Sequence, residues 1–258
     1  MTIMQHMPIL EADLNYLRKI RFVEFPTSPN RHRSITDEEF DHIFRTCDAL
    51  WLHSGDPKDP HAELTSGKCS NGFVDTLRVL RYTALCKLMA EQLKRRMIQE
   101  MAKIAPPSFL DLKSDFTFDW AIGSDHASAV FAYEIVRNWE CQYDFTEKGD
   151  GKTQVWQRFL IQPNEVVLQI EELVTTLKTL TEVRKGIRAG TPTPVKFAPF
   201  VFALVHRSHE YEFEGTPIHY VRHYDINSWD QKDCPLCAAG SERIKPKANW
   251  AKLTGKAK

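Results

Sequence analysis

The chain has no excess of charge of either sign. Its 34 Lys and Arg residues balance 34 Asp and Glu, for a formal net charge of zero at pH 7. That balance argues against a nucleic-acid or anionic-membrane binder working through bulk positive charge, but leaves room for a local basic pocket. Long apolar runs are also missing. The densest, Ala198 to Val205, is strand-sized and far short of the roughly 20 residues that span a bilayer. Met1 to Leu10 has neither a basic leader nor a long apolar core, so no signal peptide is expected and the expected setting is cytoplasmic. There is no internal repeat and no disulfide framework. Cys47, Cys69, Cys86 and Cys141 are scattered, as suits a reducing compartment.

What remains is the composition of a globular protein: 258 residues, 42% hydrophobic and 26% charged. Residues 1–35 read as an N-terminal extension with a linker over Pro26 to Ser34. Residues 36–250 read as the main domain, and 251–258 as a frayed basic tail. Thr36 is an expected helix N-cap with Glu39 as its capping-box partner, and Phe40, Ile43, Phe44, Cys47 and Leu50 follow at helical spacing. Ser54-Gly55-Asp56-Pro57 is a turn cluster. A long helical stretch is expected from Phe73 to Ile104, stopped by Pro106-Pro107. Apolar strands are expected at Phe118 to Ile122, Val166 to Ile170 and Phe197 to Val205. Helices follow the first through Val136 and the second from Thr179 to Ile187. Strand, short loop and helix in alternation predict an α/β fold with a parallel sheet flanked by helices. Ligands of such sheets bind beyond the carboxyl ends of the strands. The loops there are Gly123 to His126 and Glu171 to Thr179.

The second loop carries the chemistry. An apolar strand delivers Glu171 and Glu172, then Leu173-Val174, then Thr175-Thr176-Leu177-Lys178-Thr179 and a helix. Paired carboxylates at a strand end can accept hydrogen bonds from sugar hydroxyls or steady a metal. Unpaired amides and the dipole at a helix N-terminus favour a phosphate. An acidic pair beside a Thr-capped helix is common on surfaces; the order of the features is what distinguishes this one. That order resembles the PRPP-binding motif of type I phosphoribosyltransferases. The resemblance implies that Glu171 and Glu172 hold the ribose hydroxyls and that Val174, Thr175, Thr176, Leu177, Lys178 and Thr179 hold the 5′-phosphate. Leu177 stands where the family has glycine, which implies a different loop shape or weaker phosphate binding.

Four further stretches fall in the order of the orotate phosphoribosyltransferases. Leu64-Thr65-Ser66-Gly67-Lys68-Cys69-Ser70, followed by Phe73, is similar to the family's LTSGKHS segment, which implies base-pocket roles for Thr65, Lys68 and Phe73. Ala121-Ile122-Gly123-Ser124-Asp125-His126-Ala127 resembles the pyrophosphate loop, implying backbone contacts from Gly123 and Ser124; it also reads as a helix capped by Ser124 or Asp125. Phe145-Thr146-Glu147-Lys148 through Arg158-Phe159 resembles the mobile catalytic loop. Lys148 is its implied cation, and Lys152 and Arg158 are weaker candidates. Phe202 to Ser208 resembles the strand ending in the orotate-contacting arginine, here Arg207, whose fork suits a carboxylate.

The segment Asp233-Cys234-Pro235-Leu236-Cys237 invites a zinc reading, because C-x-x-C offers two thiolates. No second C-x-x-C exists. His219 and His223 lie four apart on an extended stretch, roughly 13 Å from each other, too far to share an ion. The segment is therefore expected to be a structural turn with reduced thiols, and no protein-held metal is expected.

Together the resemblance implies the type I phosphoribosyltransferase fold: a parallel central sheet flanked by helices, with a small hood and an N-terminal helical extension. It implies an enzyme, a glycosyltransferase of pyrimidine biosynthesis, that joins PRPP and orotate. Mg²⁺ would be bound through substrate oxygens, and a homodimer would form, with neither nucleic acid nor membrane as partner. Two alternatives stay open: a phosphoribosyltransferase for another base, and a PRPP- or nucleotide-binding regulatory protein of the same fold.

Overall fold

A computed structural model describes residues 7–20, 34–104 and 118–256. Residues 26–33 of the expected linker, the Pro106-Pro107 helix stop and the last two residues of the tail lie outside the described residues. Of the described residues, one compact unit takes 20, 34–35, 82–104 and 118–224, and a second takes 7–19, 36–81 and 225–256.

The first unit is built on a six-stranded sheet. Its strands run in the order Glu212–Phe213, Thr216–His223, Lys196–His206, Val166–Val174, Trp120–Gly123 and Gln142–Phe145. All pairings are parallel except the edge, where Glu212–Phe213 turns back on Thr216–His223. The central strands are nearly continuous apolar runs, buried from Val167 to Ile170 and from Phe200 to His206, as strands covered on both faces must be. Pro199 lacks an amide for the ladder. The register between the Lys196–His206 and Val166–Val174 strands shifts around it, between Phe197 and Val201.

Helices Thr83–Ile104 and Ala127–Val136 pack against this sheet. Helix Lys178–Gly190 covers the side where Trp120, Ile122 and Val167 meet Val183 and Ile187. That helix also carries Gly186 and Gly190 one turn apart. A Cβ at either position would collide with the carbonyl oxygens of Gln154 and Trp156. The two glycines let the return limb of the Glu147–Lys148/Gln154–Val155 hairpin lie directly on the helix.

The second unit carries the short helices Ile9–Glu11 and Leu14–Leu17, and then helix Asp37–Thr46. Thr36 and Glu39 form the expected capping box: Glu39 donates its amide to Thr36 Oγ1 at 3.2 Å, and Thr36 donates its own to Glu39 Oε2 at 2.9 Å. Strand Leu50–Leu52 pairs antiparallel with Gly72–Val74. A four-stranded sheet orders Ser228–Trp229, Cys69–Ser70, His61–Glu63 and Arg243–Ile244. Its central hairpin turns through Gly67, whose φ of +81° is open to glycine and strained for other residues. Trp51, Ala62, Ile244 and Leu253 form its core, with Phe73 and Trp250 against them.

Two expectations are corrected. Phe73 lies in a strand, not a helix; a short helix covers Leu77–Leu80 and the long one starts at Thr83. The strand expected to end at Ile170 runs on to Val174, because Leu173 and Val174 still pair with Val205 and His206. Among the described residues no helix is long and apolar enough to cross a membrane.

Candidate active site

Glu171 and Glu172 occupy the last third of a central strand, where neighbouring strands hide them from solvent; Glu171 is 1% exposed and Glu172 partly buried. A buried carboxylate needs donors. Ser124 Oγ lies 2.7 Å from Glu171 Oε2, and so does Ser128 Oγ. Ser128 Oγ also meets Glu172 Oε2 and accepts the Glu172 amide at 3.1 Å. Gln169 Nε2 approaches Glu171 Oε1 at 3.3 Å, and Arg184 Nε holds Gln169 Oε1 at 3.3 Å, fixing which way the amide faces.

One Ser128 proton thus serves two carboxylates. Burial first, and then the neighbouring Glu172, push the Glu171 carboxyl up to about 8; burial also raises Glu172. The pair therefore binds protons together, and groups that donate to it or neutralise it stabilise its ionised form.

The pair opens onto a pocket of about 320 Å³, lined by Ser124, Asp125, His126, Lys148, Glu171, Glu172, Leu173 and Thr179. Five expected site residues therefore share one cavity: Ser124, Lys148, Glu171, Glu172 and Thr179. Gly123 sits just behind it. A Cβ there would come within 2.7 Å of the Ser128 carbonyl oxygen, so the strand end and the helix start can meet only at glycine. The residue capping the following helix is His126, rather than Ser124 or Asp125, and its φ of 61° is unusual for a non-glycine residue. Backbone in that region costs on the order of 1–3 kcal/mol and clusters at functional sites.

The phosphate-loop residues divide by burial. Val174 is buried with Leu180, Val201, Ala203, Phe213 and Ile218, and Leu177 packs on the same cluster. Leu177 has φ −71° and ψ −1°, ordinary right-handed backbone. Leu177 thus sits without a positive φ, and its half-buried side chain packs on that apolar cluster. Thr176, Lys178 and Thr179 are exposed, and Thr175 is partly so. The first-turn amides of Lys178, Thr179 and Leu180 have no carbonyl to reach within their own helix.

Lys148 reaches the pocket from its short hairpin, which Gln154 ties to the neighbouring loop: Gln154 Nε2 donates to Asp125 Oδ1 at 2.8 Å and Thr146 Oγ1 to Gln154 Oε1 at 2.7 Å. Arg158 pairs with Glu147 and Asp144 instead. The Lys152 side chain lies outside the described residues.

Arg207 follows the Lys196–His206 strand, its amide donating to the Val174 carbonyl at 2.8 Å. Its Nε is buried with no hydrogen-bond partner among the described residues, and burial lowers its pKa. The other expected base contacts belong to the second unit. Thr65 and Lys68 are exposed on the Gly67 hairpin, Lys68 lies 3.8 Å from Asp230, and Phe73 rests against Trp250 with ring centroids 6.0 Å apart.

Sequence reasoning missed Ser128, and it placed Asp125, His126 and Leu173 in the two loops without giving them a binding role. The motif GSDHAS was legible, but nothing in it says that the serine after the loop turns back to the acidic pair. It also missed a cluster in the second unit: His61, Cys69, Cys234 and Cys237 place their ligand atoms within 4.8 Å of one another. The count of two cysteines and two unsuitable histidines is therefore corrected. His219 packs on Phe200 and Phe202, and His223 bonds His206, so neither faces the thiols.

No family model matches the chain. Curated relatives do. The chain is 30% identical over 205 residues to an orotate phosphoribosyltransferase of Heliobacterium modesticaldum, covering 79% of this chain and 94% of that one. Another, from Desulforamulus reducens, is 26% identical over 197 residues and covers 76% and 93%. Among solved structures, the UMP synthase of Leishmania donovani superposes with a TM-score of 0.51 at 16% identity, over 84% of this chain and 41% of that one; that likeness concerns the fold. The architecture is the type I phosphoribosyltransferase fold. With these relatives spanning nearly their whole length, the chain belongs to the orotate phosphoribosyltransferase family.

Proposed function

We propose that the protein transfers the phosphoribosyl group of PRPP to orotate, giving orotidine 5′-monophosphate and pyrophosphate. The observation that carries this reading is the pocket uniting the Glu171–Glu172 pair with Ser124, Lys148 and Thr179. In it, the carboxylates accept the ribose hydroxyls, whose donated hydrogen bonds favour the ionised pair. The exposed amides and hydroxyls at the start of helix Lys178–Gly190 take the 5′-phosphate. As the C1′–O bond to pyrophosphate breaks and the C1′–N bond to the base forms, charge grows on the leaving group, and Lys148 and the Gly123–Ser124 amides meet it.

Asp125, Glu171 and Glu172 make the pocket acidic. An ion held mainly through substrate oxygens beside these carboxyl groups is what the family resemblance implies. Mg²⁺ entering with PRPP supplies charge neutralisation on the diphosphate. Arg207, with its buried unpartnered Nε, suits the orotate carboxylate. The family resemblance supports Thr65, Lys68 and Phe73 as further base contacts, and a homodimer working in the cytoplasm.

The test is turnover with PRPP and Mg²⁺ against orotate and other bases, read as pyrophosphate release. Orotate is the expected acceptor. Arg207→Met should raise KM for orotate by about 10- to 100-fold, as loss of a charge-assisted contact implies, with KM for PRPP unchanged. Turnover with another base alone would overturn the acceptor. PRPP binding without turnover on any base would favour a regulatory protein.

A further inference from the structure

We propose that His61, Cys69, Cys234 and Cys237 form a structural zinc site of the Cys₃His type. The four residues come from three places in one unit. His61 and Cys69 stand on the two paired strands of the Gly67 hairpin, while Cys234 is the N-cap of the short helix Pro235–Ala238 and Cys237 lies within it.

The spacing is that of a tetrahedron. Cys69 Sγ lies 3.6 Å from Cys237 Sγ, and His61 Nε2 lies 3.4 Å from Cys237 Sγ and 3.8 Å from Cys234 Sγ. Zn–S bonds of about 2.3 Å and Zn–N bonds of about 2.0 Å at tetrahedral angles put sulfurs about 3.8 Å apart and nitrogen about 3.5 Å from sulfur. A disulfide needs about 2.05 Å, and all three cysteines are free.

The histidine is oriented as a ligand. Ser241 Oγ donates to the Asp59 carbonyl at 2.7 Å, which commits its proton, so toward His61 Nδ1, 2.9 Å away, it acts as acceptor. Nδ1 then carries the hydrogen, and Nε2 turns its lone pair to the thiols. A second partner that fixes the tautomer in this way is characteristic of metal-bound histidine. The backbone supports the sulfurs too: the Cys237 amide points to Cys234 Sγ at 3.4 Å.

Reduced thiols packed together are the competing reading. They would leave three S–H groups to share one imidazole lone pair and the weakly accepting sulfurs, and would give no reason for the hydroxyl relay behind His61. With four protein ligands, three of them buried, the site has no open position for chemistry. Its role is to staple a unit whose strands are only two or three residues long.

The experiment is metal analysis of the full-length protein, purified without chelator from zinc-supplemented cells. Close to one zinc per chain is expected, lost in Cys237→Ser and in His61→Ala and retained in Cys141→Ser, whose thiol lies outside the cluster. Replacement by Co²⁺ should give the intense visible bands of tetrahedral thiolate ligation. This measurement stands even if the variants do not fold, and none of it depends on transferase activity. Zinc far below one per chain, zinc retained in a folded Cys237→Ser variant, or only the weak cobalt spectrum of an oxygen-ligated octahedral ion would each overturn the site.

Discussion

Ser128 Oγ lies 2.7 Å from Glu171 Oε2, so the second residue of a helix supplies a proton to a carboxylate 43 positions further along the chain. The same oxygen accepts the Glu172 amide, so one serine holds both halves of the acidic pair in place.

Ser128→Ala should therefore affect more than local packing. Two carboxylates lose their shared donor, at about 1–3 kcal/mol of folding stability, with PRPP affinity falling about tenfold. Urea unfolding and a PRPP titration check this. Unchanged affinity with reduced stability would restrict Ser128 to a structural part.

The pair also sets a pH dependence. Glu171 has a folded-state value of about 8, above its ordinary 4.5, so between these the folded protein holds more protons than the unfolded chain. Its contribution to stability is then complete below the lower value and is lost as pH rises toward the upper. Unfolding free energies measured from about pH 5 to about pH 9 should fall more steeply for the wild type than for Glu171→Gln. Parallel curves, or a wild-type advantage that grows with pH, would contradict the assignment.

Leu177→Gly restores the residue the family uses. Because Leu177 already adopts right-handed backbone and packs on Val174 and Leu180, PRPP affinity should change less than about twofold, while stability falls by about 1 kcal/mol or more. A tenfold gain in affinity would mean that the side chain obstructs the phosphate after all.

Gly186→Ala tests the seat of the Lys148 hairpin. Its new Cβ meets the Gln154 carbonyl oxygen, main chain that cannot rotate away, so about 1–3 kcal/mol is expected to be lost. If Lys148 acts from that hairpin, kcat should drop with it while PRPP affinity holds; thermal melting and steady-state kinetics separate the two effects.

Local rules carried much of this into the sequence. Thr36 and Glu39 announced their capping box, and the strand–loop–helix order placed Glu171 and Glu172 at the end of a buried strand. What was not legible depended on partners far along the chain. Phe73 looked helical beside a Leu-rich stretch, because its pairing with Trp51 comes from 22 residues earlier. Val174 looked like part of a polar loop, yet its ladder partner His206 keeps it in the sheet. His61 and Cys69 gave no metal signal at all, since the thiols they meet lie 168 and more positions away. Leu177 could be placed at the start of a helix from sequence, but its packing on the Val174 cluster depends on strands more than 20 residues further on.

The small four-stranded sheet has a temporal consequence. Its inner hairpin, His61–Glu63 with Cys69–Ser70, is made before the large sheet, but both flanking strands, Ser228–Trp229 and Arg243–Ile244, are made after it. All six strands of the large sheet are translated between them. That sheet can form as soon as its strands have emerged, whereas the hairpin waits with both edges unpaired until residues 228–244 arrive. Nascent chains stalled short of residue 228 should therefore be protected from protease over the large sheet while remaining open to cleavage around Gly67.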